Sequence, residues 1–138
     1  MTDQFLIAAL ATGSNPANWT TLESLLGTND VTLRAVEWTF EGSSSYVTLA
    51  SGKTRGLGYP IAKWTFKALR PEQRENIRDF CTGLSADVYI RTPTNETSTG
   101  TRVWDDYQAI MNWMNRSELI GVNYVEEIEI TFSNLIPV

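Results

Sequence analysis

The sequence predicts a mainly β fold, an antiparallel β-sandwich or small barrel with one flanking α-helix at about residues 71–82. Three observations predict it. Short segments of alternating apolar and polar residues recur along the chain. Gly- and Ser-rich turns, such as the one at 41–45, separate these segments, and tight turns of this kind join antiparallel neighbours. The third observation is size, because 138 residues, 42% of them hydrophobic, suffice for one domain with its own core.

The clearest predicted strand covers residues 61–69. Ala62, Trp64 and Phe66 alternate there with polar residues, so one face of the strand is buried and the other faces water. The same pattern, less regular, predicts further strands at 31–40, 46–50, 86–91, 107–114 and 122–135. Residues 92–106 are polar and show no periodicity, which predicts a long loop.

One helix is predicted with a clear start and a clear apolar face. Pro71 suits the first helical position, and Ile77, Phe80 and Cys81 recur at helical spacing. Cys81 is therefore expected to be a small core residue. A second, short helix or turn is expected within residues 16–26.

The chain is predicted to contain two parts. Residues 1–30 form an N-terminal arm with a short helix, and residues 31–138 form a single β domain. The arm contains an apolar stretch at 5–11, which is too short to cross a membrane and is expected to be a short arm or strand that docks on another surface. No contact with a membrane is predicted.

The composition argues against most enzymes and metalloproteins. The chain has no histidine, which is the commonest general base and metal ligand. It has one cysteine, so an internal disulfide and a cysteine-based zinc site are excluded. We therefore expect no cofactor, no metal and no catalytic site.

Negative charge is concentrated at one end of the sequence. The net charge is −5, and the acids and bases of residues 1–104 cancel, so the whole surplus lies in residues 105–138. Glu126, Glu127 and Glu129 stand close together in the last predicted strand. An acidic chain is a poor candidate for wrapping nucleic acid, but its acidic strand suits a surface that must not retain DNA.

Three arginines recur along one face of the predicted helix at every fourth residue, namely Arg70, Arg74 and Arg78. They form either a solvated face or a stripe that docks on an acidic neighbour. The acidic strand at 126–129 of another copy of the chain is a candidate for that neighbour.

Residues 31–138 resemble the tail-tube superfamily of long-tailed bacteriophages, which includes tube proteins, minor tail proteins and distal tail proteins. The resemblance lies in the order of the elements and in short local sequence patterns. It rests on Gly58-Tyr59-Pro60, Trp64-Thr65-Phe66, Leu69-Arg70-Pro71-Glu72-Gln73, Phe80-Cys81, and the segments 86–93, 107–113 and 127–135.

This resemblance implies a virion structural protein without enzyme activity. Copies of the chain, six by our expectation, would form a ring around a channel through which DNA passes without specific binding. The ring would be assembled in the host bacterial cytoplasm and would contact neighbouring tail proteins. The predicted lumen-facing residues are Glu126, Glu127 and Glu129. The predicted inter-subunit residues are Arg70, Arg74, Arg78, Trp104, Phe5 and Leu6.

Two other functional classes remain open from the sequence. Trp104 and Tyr107 could form an aromatic platform in a receptor- or carbohydrate-binding β-sandwich of a phage tail or cell surface. Glu127 and Glu129 lie two residues apart on one strand and could act as the acid and base of a small glycoside hydrolase. The polar face of a sheet also explains such a pair.

Overall fold

The computed structural model describes residues 4–27, 37–66, 69–113, 119–120, 124–125 and 128–138. Strands dominate it. They are β1 (Leu6–Ala9), β2 (Thr20–Thr21), β3 (Glu37–Glu41), β4 (Ser45–Thr48), β5 (Thr54–Leu57), β6 (Ile61–Phe66), β7 (Ser85–Glu96), β8 (Arg102–Asn112), β9 (Leu119–Ile120), β10 (Tyr124–Val125) and β11 (Ile128–Pro137). Two short α-helices, α1 (Leu22–Leu26) and α2 (Pro71–Arg78), accompany them, with 3-10 turns at Leu10–Thr12 and Pro16–Asn18.

Seven strands form one antiparallel sheet in the order β2-β1-β7-β8-β11-β6-β3. The sheet curls, so that β3 approaches β7 across the core. Phe40 on β3 accordingly stacks on Tyr107 of β8, with ring centroids 6.0 Å apart. The predicted fold class, a mainly antiparallel β-sandwich-like fold with flanking helix, is confirmed.

The main core lies on the concave side of this sheet. Trp64, Phe66 and Phe132 are fully buried there, as the alternation at 61–69 predicts. The indole Nε1 of Trp64 donates a hydrogen bond of 3.0 Å to the Thr92 hydroxyl, and Thr92 is itself fully buried. This bond satisfies the one polar atom of the central tryptophan.

Two amide side chains on α2 cap the carboxyl end of α1. Gln73 is buried; its Nε2 donates to the Leu26 carbonyl at 2.7 Å, and its Oε1 accepts from the Arg70 amide at 3.0 Å. The exposed Asn76 donates to the Leu25 carbonyl at 3.0 Å. The last carbonyls of a helix lack intrahelical partners, so these bonds fix α1 against α2.

The N-terminal segment joins the large sheet through β1 and β2, and a domain boundary at residue 30 stays a prediction. β1 pairs with both β2 and β7, and the Phe5 ring meets the Trp64 ring edge-on at 5.1 Å. Phe5 and Leu6, predicted to contact another subunit, are only 7% and 5% exposed. β1 pairs along the edge of β7, which would otherwise be open, and this pairing places both side chains in apolar clusters of their own chain.

The predicted loop at 92–106 is also wrong. Strands β7 and β8 continue through it as one long hairpin, and only the turn at 97–101 lies outside the ladder. Threonines are frequent there, and β-branched side chains favour strands even without apolar alternation. The predicted helix at 71–82 ends four residues early, and part of the predicted strand at 31–40 lies outside the described residues.

Candidate assembly surfaces

The convex face of the sheet is polar along β3, β6 and β11 and carries there one of the three predicted lumen residues. Glu129 on β11 lies opposite Thr65 of β6, and its carboxylate is 3.7 Å from the Lys63 ammonium. Both side chains are about half exposed, so this ion pair is a weak surface contact. Glu126 and Glu127 lie outside the described residues. Their position beside Glu129, which both the lumen and the hydrolase hypotheses need, therefore stays a prediction.

Acidic side chains outnumber basic ones on this convex face. The strand register places there the acids Glu37, Glu41, Asp87, Glu96, Asp106 and Glu129 and the bases Lys63, Arg91 and Arg102. Arg91 is already engaged, because its guanidinium donates to both Asp106 oxygens, at 2.6 and 2.9 Å. The described part of the face thus has a net negative charge.

The arginine stripe of α2 packs against the chain itself. The guanidinium carbons of Arg74 and Arg78 lie 5.8 and 5.1 Å from the centre of the Trp113 ring. Arg70 pairs with Glu72 at 3.0 Å. Sequence analysis did not identify Trp113 as their partner, because Trp113 follows Arg78 by 35 positions. Docking of these arginines on a second copy remains a prediction.

Trp104 lines an open cleft of about 550 Å³ near the ends of β8 and β11. We call it the Trp104 cleft; its lining residues are Arg91, Trp104, Asp105, Asp106, Tyr107, Pro137 and Val138. One edge of the Trp104 ring packs against Phe5, with centroids 5.1 Å apart. The indole is therefore half-buried and held in place by the core, while the rest of it borders the cleft.

The two carboxylates in the Trp104 cleft have different partners. Asp106 is neutralised by Arg91, whereas Asp105 accepts a hydrogen bond of 2.8 Å from the neutral Thr94 hydroxyl. Within the described parts of the chain, no cation lies within ion-pair distance of Asp105. Burial, and then the charge of Asp105, raise the pKa of the Tyr107 phenol.

The ribbon of β4 and β5 is separate from the large sheet. Every residue of both strands is exposed. At its tip the Leu49 amide donates to the Lys53 carbonyl at 2.7 Å, and Gly52 has a φ of 86°, which glycine adopts without strain. At its base the Ser44 hydroxyl donates to the Leu57 carbonyl at 3.2 Å.

This ribbon concentrates exposed apolar side chains. Among the described residues, half of the exposed large hydrophobic side chains lie at positions 46–59: Tyr46, Val47, Leu49, Leu57 and Tyr59. The pairing of Val47 with Arg55 and of Ser45 with Leu57 places alternate residues on opposite faces. One face, which we call the hairpin basic face, carries Val47, Leu49, Lys53, Arg55 and Leu57. Sequence reasoning placed these two strands but gave them no role.

No protein-family model, curated protein or solved structure matches this chain. None of the helices in the described ranges is long and apolar enough to cross a membrane. In the same ranges, no group of acidic or cysteine side chains has the arrangement of a metal site. The thiol of Cys81 is buried, and this burial raises its pKa despite the nearby charge of Arg78.

Proposed function

We propose that this chain is a structural subunit that assembles with identical copies into a ring of a phage tail, either the tube or a distal adaptor. The observation that carries the proposal is the uncovered β4–β5 ribbon. A lone two-stranded hairpin is marginally stable in water, and this one exposes apolar side chains on both faces. Such a hairpin favours a role in contact with another molecule, where those side chains are buried.

The charge of the convex face supports a channel for DNA. Phosphate groups are repelled by a surface with net negative charge, so DNA would slide past it rather than bind. Glu129 is exposed on that face, and Glu126 and Glu127 precede it in the sequence. We assign these three glutamates to the lining of the proposed channel.

A charge-reversal experiment tests the lining. Glu126, Glu127 and Glu129 are each replaced by Lys, and assembled particles are incubated with linear DNA and sedimented. We expect the variant to retain DNA, because the lining becomes basic. DNA behaviour unchanged from the parent protein would show that the three glutamates face elsewhere.

The Trp104 cleft favours a second candidate function, a receptor- or carbohydrate-binding module. Aromatic rings beside carboxylates are suited to stacking on sugar rings while accepting hydrogen bonds from hydroxyl groups. Under this alternative the chain remains a monomer and binds glycans, and Trp104→Ala abolishes binding. Glycan-array screening together with light scattering on the same sample separates the two functions.

A further inference from the structure

We infer that the hairpin basic face of one copy docks into the Trp104 cleft of a second copy, with Arg55 or Lys53 against Asp105 and Trp104. The inference rests on the proposed function, because it names the contact that joins neighbouring subunits.

The donor surface requires a partner that is both apolar and acidic. Val47, Leu49 and Leu57 are each 40–42% exposed on a ribbon with no cover in the described structure. Lys53 and Arg55 stand among them, and residues 43–60 contain no acidic residue. Burial of the three apolar side chains would favour docking, and a carboxylate in the partner would offset the loss of hydration of the two cations.

The Trp104 cleft has the complementary chemistry. Asp105 presents a carboxylate whose described partner is the neutral hydroxyl of Thr94. Trp104 lies beside it, and a guanidinium or ammonium group binds favourably over an indole face. Pro137 and Val138 add apolar surface on the other side of the cleft. A cation with apolar neighbours therefore finds both kinds of contact in one place.

The other described cleft is a poorer acceptor. It has a volume of about 380 Å³ and is lined by Glu37, Trp38, Thr39, Thr65 and Arg102. Its one acid, Glu37, and its one base, Arg102, cancel, whereas the Trp104 cleft has two acids and one base and so attracts Lys53 or Arg55 more strongly. The two cations are accordingly directed to the Trp104 cleft.

Charge indicates that the partner is a second copy of this chain. The whole chain carries −5 and residues 43–60 carry +2, so the remainder carries −7. Because the hairpin and the remainder of the chain have net charges of opposite sign, the hairpin of one copy is electrostatically complementary to the remainder of another copy. Within one copy the hairpin is exposed, so it does not fill its own cleft.

The contact would join two different patches, and it is therefore heterologous. Both patches lie at the same end of the fold: Phe40, just before the hairpin, stacks on Tyr107 in the cleft wall, and the Pro60 carbonyl after it accepts from the Leu135 amide at 3.4 Å. Copies that stand side by side in one orientation can each reach the next. Repetition of a head-to-tail contact of this kind closes into a ring when the rotation permits.

The test compares single and paired charge reversals by light scattering and electron microscopy. Arg55→Asp and Asp105→Arg should each raise the concentration at which half of the chains assemble, by about tenfold or more. The double variant, which exchanges the two charges, should recover most of the loss. Matched controls introduce the same new side chain outside the contact: Thr54→Asp on the opposite face of the hairpin, and Asp87→Arg on the convex face. Both controls should assemble like the parent protein, and urea unfolding confirms that every variant is folded.

A mixing experiment excludes an effect within one chain. Arg55→Asp keeps a working cleft and Asp105→Arg keeps a working hairpin, so an equimolar mixture should form more complex than either variant alone. The inference is wrong if the parent protein assembles and both single variants assemble equally well. It is also wrong if the single variants lose assembly and the double variant does not recover it. In either case the proposed function stands. A parent protein that stays monomeric at all concentrations would instead refute the proposed function.

Discussion

The buried amide of Gln73 offers the sharpest test of how the helices are held. Gln73→Met keeps the length of the side chain but removes both hydrogen bonds, the 2.7 Å bond to the Leu26 carbonyl and the 3.0 Å bond from the Arg70 amide. The bond to the Leu26 carbonyl is buried, so water does not replace it and its loss costs about 1–3 kcal/mol. The bond from the Arg70 amide is only partly buried and contributes about 1 kcal/mol, which gives a total loss of about 2–4 kcal/mol in the free energy of unfolding.

Urea denaturation followed by tryptophan fluorescence measures this loss. With a slope of about 2 kcal/mol per molar urea, the midpoint should fall by about 1–2 M. Asn76→Ala is the matched control, because Asn76 caps the adjacent carbonyl of Leu25 but is exposed. Water replaces its bond, so the control should stay within about 1 kcal/mol of the parent protein. A Gln73→Met variant no less stable than Asn76→Ala would refute the account of α1 capping.

Three further results are expected. Thr92→Val should lower the free energy of unfolding by about 1–3 kcal/mol, because it leaves the buried Trp64 Nε1 without its acceptor, while Thr92→Ser should retain most of the stability. The pKa of Tyr107 is raised in the folded state, so on raising the pH the unfolded chain loses the phenol proton before the folded chain does. The contribution of Tyr107 to the free energy of unfolding should therefore be complete below about pH 10 and fall above it. The urea midpoint should fall less steeply with pH in Tyr107→Phe, which has no phenol proton to lose. Cys81 is buried and its pKa is raised, so a maleimide should label it only after unfolding, as mass spectrometry would detect; rapid labelling of the native protein would contradict this placement.

The sequence predicted the elements whose signals are local. Alternation at Ala62, Trp64 and Phe66 identified a central strand, and Pro71 identified the start of α2. Each of these depends on residues that are close in sequence or on one periodic face.

The errors arose where contacts distant in sequence decide the structure. Phe5 and Leu6 were assigned to a contact between subunits because the edge of β7 that accepts β1 lies more than 80 positions away in the sequence. Residues 92–106 were predicted to be a loop because their sequence lacks the alternation of apolar and polar residues that buried strands show. The Trp104 cleft could not be foreseen for the same reason: it gathers Arg91 and Pro137 from distant parts of the chain.

Negative-stain electron microscopy of the purified chain, with its mass in solution measured by light scattering, tests the central proposal most directly. A building block of a phage tail should appear as closed rings or stacked tubes, with a mass that is a whole multiple of 15.5 kDa. Dispersed particles of 15.5 kDa at every concentration tested would contradict the proposal that identical copies complete the function of this protein.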